Sequence, residues 1–151
     1  MKIDVTVRPT VPEINARLAR SREAMGALNG PLARSSVFLD QWVQRNIRSE
    51  GGSVGGWRPF KAGGRRVKGL LDTSAKLLQD TGRLRSSFSP FVRGGDAGIG
   101  SDLPYASSHE FGNEAKGLPA RRMLPKHGDV QQDINAIFRA HVAQVTRDHG
   151  K

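Results

Sequence analysis

The sequence predicts an α+β domain in which a small antiparallel sheet packs against N-terminal helices and a C-terminal helix. Three observations carry this. Helical apolar spacing fills residues 11 to 48 and returns from Val130 to Val145; between them, two short strand-like runs flank Arg93-Gly94-Gly95-Asp96; and an alternating run opens the chain. Strand, two helices, strands and helix in that order make one α+β unit. At 151 residues the chain is expected to form a single domain, 1–151, large enough to bury a core.

Residues 2–8 place Ile3, Val5 and Val7 on one face and Asp4, Thr6 and Arg8 on the other, a short half-buried strand. Thr10-Val11-Pro12-Glu13 has capping-box spacing and starts a first helix, with Ile14, Leu18, Met25 and Leu28 on its inner face. Asn29-Gly30-Pro31 interrupts it, and Pro31 suits the first turn of a second helix running to about Arg48. Leu32, Leu39, Val43 and Ile47 point inward there. Val37, Phe38 and Trp42 widen the stripe beyond what one packing partner covers, which implies a contact with a neighbouring subunit.

Residues 49–69 read as a flexible basic Gly-rich loop around Trp57, and Leu70 to Leu78 fits either a short helix or a strand. Asp80-Thr81-Gly82 is turn chemistry leading into a short helical segment through Arg85. Ser87–Val92 and Ala97–Ser101 then form a β-hairpin, in which Pro90 marks an edge strand. Asp102 is placed to cap a short helix that has Pro104 in its first turn and ends at Gly112. In the last helix Val130, Ile134, Ile137, Phe138, His141, Val142 and Val145 keep helical period, with Asp129 and Asp133 early and Arg147 late, as the helix dipole prefers.

Charge narrows the partners. Lys+Arg number 24 against 14 Asp+Glu, leaving +10, a field that favours polyanions or acidic protein surfaces. Cations cluster between Arg58 and Arg85, and Lys61, Arg65, Arg66 and Lys68 are the candidate contacts to DNA phosphates or to an acidic partner. A solvated loop is the bland alternative. The chain has no cysteine, which excludes disulfides and thiolate metal sites and fits synthesis in a reducing cytosol. No apolar run is long enough to span a membrane, and no membrane partner is expected.

Catalytic constellations do not assemble from the sequence. His109-Glu110 begins like a zinc-protease motif, but Asn113 stands where the second histidine belongs. Ser107-Ser108-His109 lacks a nucleophile elbow, and neither Gly-rich stretch is followed by the Lys-Ser/Thr of a phosphate loop. The expectation is a protein that is not an enzyme and carries no metal or cofactor.

Four pieces in order then become informative: Gly56-Trp57-Arg58-Pro59; Leu78-Gln79-Asp80-Thr81-Gly82-Arg83-Leu84; Pro104-Tyr105-Ala106-Ser107-Ser108-His109-Glu110-Phe111-Gly112; and Leu118-Pro119-Ala120-Arg121-Arg122-Met123-Leu124. Together they resemble the phage virion morphogenesis family, which includes the Mu gene G product and the tail-completion proteins of P2-like phages. Met123 stands where an aromatic is common. The resemblance covers about residues 56 to 125 and marks Trp57, Pro59, Asp80, Thr81, Gly82, Tyr105, His109, Phe111 and Gly112 as its structural motif.

The resemblance implies a virion protein at the head–tail junction, made in the host bacterial cytoplasm, that completes the tail or joins it to the head. A tail terminator and a basic nucleic-acid-binding accessory protein are the alternatives. It further implies a ring of identical subunits, six-fold favoured over twelve-fold, touching connector, portal-side or tail-tube proteins and packaged DNA. Val37, Phe38 and Trp42, with Arg121 and Arg122 as partners for carboxylates, are the expected subunit interface.

Overall fold

The computed structural model describes residues 11–26, 28–60 and 63–148. The strand expected over residues 2–8, Thr10 of the capping box, and Lys61 lie outside the described residues. Along the chain run α1 (Val11–Gly26), α2 (Asn29–Arg48), β1 (Arg65–Val67), β2 (Leu70–Asp72), α3 (Arg83–Ser86), β3 (Phe88–Arg93), β4 (Asp96–Ser101), α4 (Ala106–Phe111) and α5 (His127–Asp148). Short 3-10 turns cover Gly52–Val54 and Glu114–Lys116. The α+β class stands, but the sheet is two separate antiparallel hairpins, β1–β2 and β3–β4, rather than one.

The helix α2 organises the molecule. Val43 and Ile47 are wholly buried, and Trp42 and Leu32 nearly so. Each such side chain contributes about 1.5–3 kcal/mol relative to leaving it in water. Against this stripe pack β3, β4 and α5. The core then gathers Trp57, Leu77, Leu84, Phe88, Ala106, Met123 and Val130, with Phe38, Leu39, Ile99 and Ile134 packed against it. Pro31 sits in the first turn of α2, where a missing amide costs nothing. At the other end Glu50 and Gly51 adopt positive φ, and the Gly51 amide returns to the Asn46 carbonyl at 2.8 Å, closing the helix.

Gly51 is required there for a second reason. A Cβ on it would stand 2.3 Å from Cδ1 of Trp57, because the indole lies flat on the Gly51 backbone. The helix end and the indole are therefore fitted together. Part of the segment read as a flexible loop is thus built structure, and residues 65–72 form a tight hairpin. Lys68 and Gly69 make its turn, both with positive φ (50° and 85°).

Three expectations about helices need correction. The stripe on α1 does not reach the core: Ile14 and Leu18 are exposed, as is Leu28, while the side chain of Met25 lies outside what is described. Ile14, Leu18 and Met25 recur at four- and seven-residue steps, a seam narrow enough for another helix but too narrow to cover a sheet, and Leu28 falls beyond the end of α1. Asp102 does not cap α4, which starts at Ala106 after Tyr105 in right-handed helical geometry without a side-chain cap. Instead the Ser101 hydroxyl accepts the Leu103 amide at 3.2 Å and shares a 2.6 Å hydrogen bond with Ser87. Trp42, expected at a subunit interface, belongs to the chain's own core at 6 % exposure.

The end of α4 gives a direct prediction. Gly112 has φ +79°, and a Cβ there would fall 2.8 Å from the Ala120 nitrogen, which is backbone and cannot swing away. Gly112→Ala is expected to destabilise the fold by about 1–3 kcal/mol, read as a lower urea midpoint with an unchanged slope.

Candidate functional site

The segment from Arg121 to Leu124 joins no strand, so its backbone groups need partners from elsewhere. They find them on other pieces of the sequence signature and on Asn46 of α2. The Arg121 amide donates to the His109 carbonyl at 2.7 Å. Glu110 Oε2 accepts the Met123 amide at 2.6 Å and the Leu124 amide at 3.1 Å. The Arg122 carbonyl accepts from Trp57 Nε1 and from Asn46 Nδ2, each at 3.0 Å. Asn46 Nδ2 also reaches the Met123 carbonyl at 3.3 Å. Trp57, His109, Glu110 and the Arg121–Leu124 segment are therefore one clamp, closed over Met123 at 1 % exposure.

The Asp80-Thr81-Gly82 turn belongs to the same region. Gly82 takes φ +70°, the Thr81 hydroxyl accepts the Arg83 amide at 3.3 Å, and the chain delivers Leu84 to the core. Just upstream, Gln79 Nε2 donates to the Ile47 carbonyl at 2.9 Å, and the Leu77 amide donates to Glu50 Oε1, tying this segment to the end of α2. Asp80 pairs with Arg65, which anchors the β1–β2 hairpin over the turn. Between turn and α4 lies a groove of about 310 Å³, lined in part by Phe60, Arg65, Thr81, Tyr105 and His109.

Tyr105 and His109 meet edge to face, ring centroids 6.0 Å apart and planes at 89°. His109 Nδ1 is buried with no hydrogen-bond partner. Burial, and secondarily the nearby Arg121 cation, hold the His109 pKa below its ordinary value of 6.5, so the neutral imidazole is favoured. The unfolded chain therefore binds a proton near pH 6.5 that the folded chain resists. As pH falls through 6.5 the unfolded state gains protons first, and stability declines. The wild-type melting temperature is expected to fall between pH 7 and 5, and His109→Gln to flatten that slope. The carboxyls of Asp72, held low chiefly by its Ser74 hydrogen bonds, and Asp129, held low chiefly by the Lys126 amide, act only below their ordinary 3.8.

The other site residues named from the sequence are dispersed. Arg66 and Lys68 are exposed on the β1–β2 hairpin, whereas Arg65 is committed to Asp80. Val37 is exposed on α2, and Phe38 is partly buried against the core. Arg122, expected to reach a neighbour's carboxylate, pairs within the chain with Asp129 at the start of α5. Arg121 is buried. Pro59 lines a second groove beside it, and Phe111 is the most exposed large apolar side chain of the described residues, at 80 %.

Sequence reasoning missed Asn46, Gln79 and Glu110 as the groups that satisfy distant backbone. Asn46 left a signal: it stands three residues after Val43 and seven after Leu39, on the apolar stripe of α2, where a polar side chain calls for hydrogen bonds such as those its Nδ2 makes. Glu110 left none, since its partners are more than ten residues away in sequence. Among the described residues, no three His, Asp or Glu side chains stand together as a metal site. No helix of the described residues is long and apolar enough to cross a membrane.

No curated protein and no solved structure matches the chain. The model of the phage virion morphogenesis family matches residues 9–143, a span that contains the whole clamp and both hairpins. The protein belongs to the phage virion morphogenesis family.

Proposed function

We propose that the protein is a ring subunit at the head–tail junction of the phage particle, where it completes the tail or joins it to the head. The observation that carries this is apolar surface placed outside the single-chain core. Phe111 on α4 is 80 % exposed and Leu70 on the β1–β2 hairpin is 77 % exposed, and Leu18 and Val37 are open on α1 and α2. Exposed apolar side chains on four different elements suit head-to-tail contacts between identical subunits, which close into rings. Six-fold symmetry matches a tail tube, and twelve-fold symmetry a portal.

The β1–β2 hairpin is the second supporting feature. Its packing is mostly within itself, and Arg66 and Lys68 stand exposed beside Leu70 and Leu71. An arm with cations and apolar side chains fits an acidic adjoining ring or the channel through which DNA passes. Arg66→Gln combined with Lys68→Gln is expected to leave stability within about 0.5 kcal/mol of wild type. The same change should lower the yield of joined, DNA-retaining particles. Unchanged titres and complete particles would remove the hairpin from the reading. Salt-sensitive binding of the isolated protein to duplex DNA, with normal joining in its absence, would favour an accessory nucleic-acid-binding role.

A further inference from the structure

Arg121 is a buried cation with no carboxylate paired to it among the described residues. The residue is 7 % exposed and its Nε has no hydrogen-bond partner. The ion pairs Arg65–Asp80 and Arg122–Asp129 do not reach it. Glu110 is engaged by the Met123 and Leu124 amides. Burial alone acts on the guanidinium, lowering its pKa, with no carboxylate raising it. Arginine nevertheless stays charged in proteins, so the cost of holding it here stands until a counter-ion arrives.

Arg121 lines a groove of about 540 Å³ whose apolar lining comes from Pro59, Phe60, Leu118 and Pro119, with Arg58 and Glu114 also on its surface. We infer that this groove docks an extended peptide segment of a neighbouring virion protein, placing an Asp or Glu carboxylate on Arg121 and apolar flanking side chains on Pro59, Phe60, Leu118 and Pro119. A planar guanidinium binds a carboxylate through two parallel hydrogen bonds, and enclosure away from bulk water strengthens them. The apolar lining favours a peptide over a nucleic acid: a phosphodiester backbone offers nothing to bury on two prolines, a leucine and a phenylalanine. An arginine this enclosed also cannot follow a duplex backbone as an exposed hairpin cation can. A basic chain, +10 overall, adds long-range attraction for an acidic segment.

This inference rests on the assembly reading for the source of its partner, so the test is made on the isolated full chain, where particle phenotypes do not enter. The probe is an acetylated, amidated pentapeptide, Pro-Leu-Glu-Leu-Pro, followed through the arginine Nε–Hε resonances in nitrogen-15 NMR. The Glu peptide is expected to shift the Arg121 resonance saturably. Its Gln counterpart should bind about thirty-fold more weakly or not at all. Arg121→Met should abolish the difference between the two peptides while leaving the melting temperature unchanged or raised, because an unpaired charge has been replaced by an apolar chain. The wild-type comparison of Glu and Gln peptides stands whether or not that variant folds. Equal shifts with both peptides, no shift with either, or a shift produced by a short DNA duplex and not by the Glu peptide would each overturn the proposal.

Discussion

Trp57→Ala is expected to lower the stability of the protein by about 3–5 kcal/mol, among the largest losses a single substitution can cause here. The indole is 9 % exposed, lies on Gly51, and donates through Nε1 to the Arg122 carbonyl at 3.0 Å. Removing it opens a cavity between the end of α2 and the Arg121–Leu124 segment and strips one hydrogen bond from that segment. Trp57→Phe separates the two effects. It keeps much of the apolar volume but leaves the carbonyl with Asn46 alone, an expected loss of about 1–2 kcal/mol. Chemical denaturation checks both, with the midpoint moving and the slope unchanged. A Phe variant as damaged as the Ala variant would show that the hydrogen bond, rather than packing, dominates.

Glu110→Ala is expected to cost about 2–4 kcal/mol, since it leaves the Met123 and Leu124 amides without their shared acceptor. The Met123 amide lies beside a side chain that is almost wholly buried, so water cannot replace the carboxylate cheaply. Glu110→Gln retains an acceptor oxygen and should lose roughly half as much. The informative measurement is amide hydrogen exchange at Met123 and Leu124. In the Ala variant these amides should exchange much faster while those of Val43 and Ile47 change only with global stability. Equal loss of protection everywhere would mean that Glu110 supports the whole fold rather than this segment.

The elements that were legible in the sequence are those whose cause is local. The apolar stripe of α2 from Leu32 to Ile47, the period of α5, the glycine turn of the β3–β4 hairpin and the end of α4 at Gly112 all follow from residues near one another in the chain. The β1–β2 hairpin was hidden because its strands have three residues each and its turn is Lys68-Gly69. Both turn residues have positive φ, but the usual asparagine signal of such a turn is missing. The clamp was hidden for a different reason. Asn46, Trp57, Glu110 and Met123 come together across tens of residues, and no periodicity records that.

The grouping of the signature could be read from order alone; its physical basis could not. Trp57 and His109-Glu110 hold an irregular segment by its backbone, and Asp80 pairs with the Arg65 that begins the β1–β2 hairpin. Arg121 and Arg122 were both expected to reach outward, and only the structure separates them. Arg122 is satisfied by Asp129, whereas Arg121 is enclosed with no counter-ion among the described residues.

Electron microscopy of particles made without this protein tests the head–tail assignment most directly. Tail completion and joining predict full heads accumulating beside unattached tails of normal length. Tails of uncontrolled, excessive length would contradict that assignment and make the protein a tail terminator.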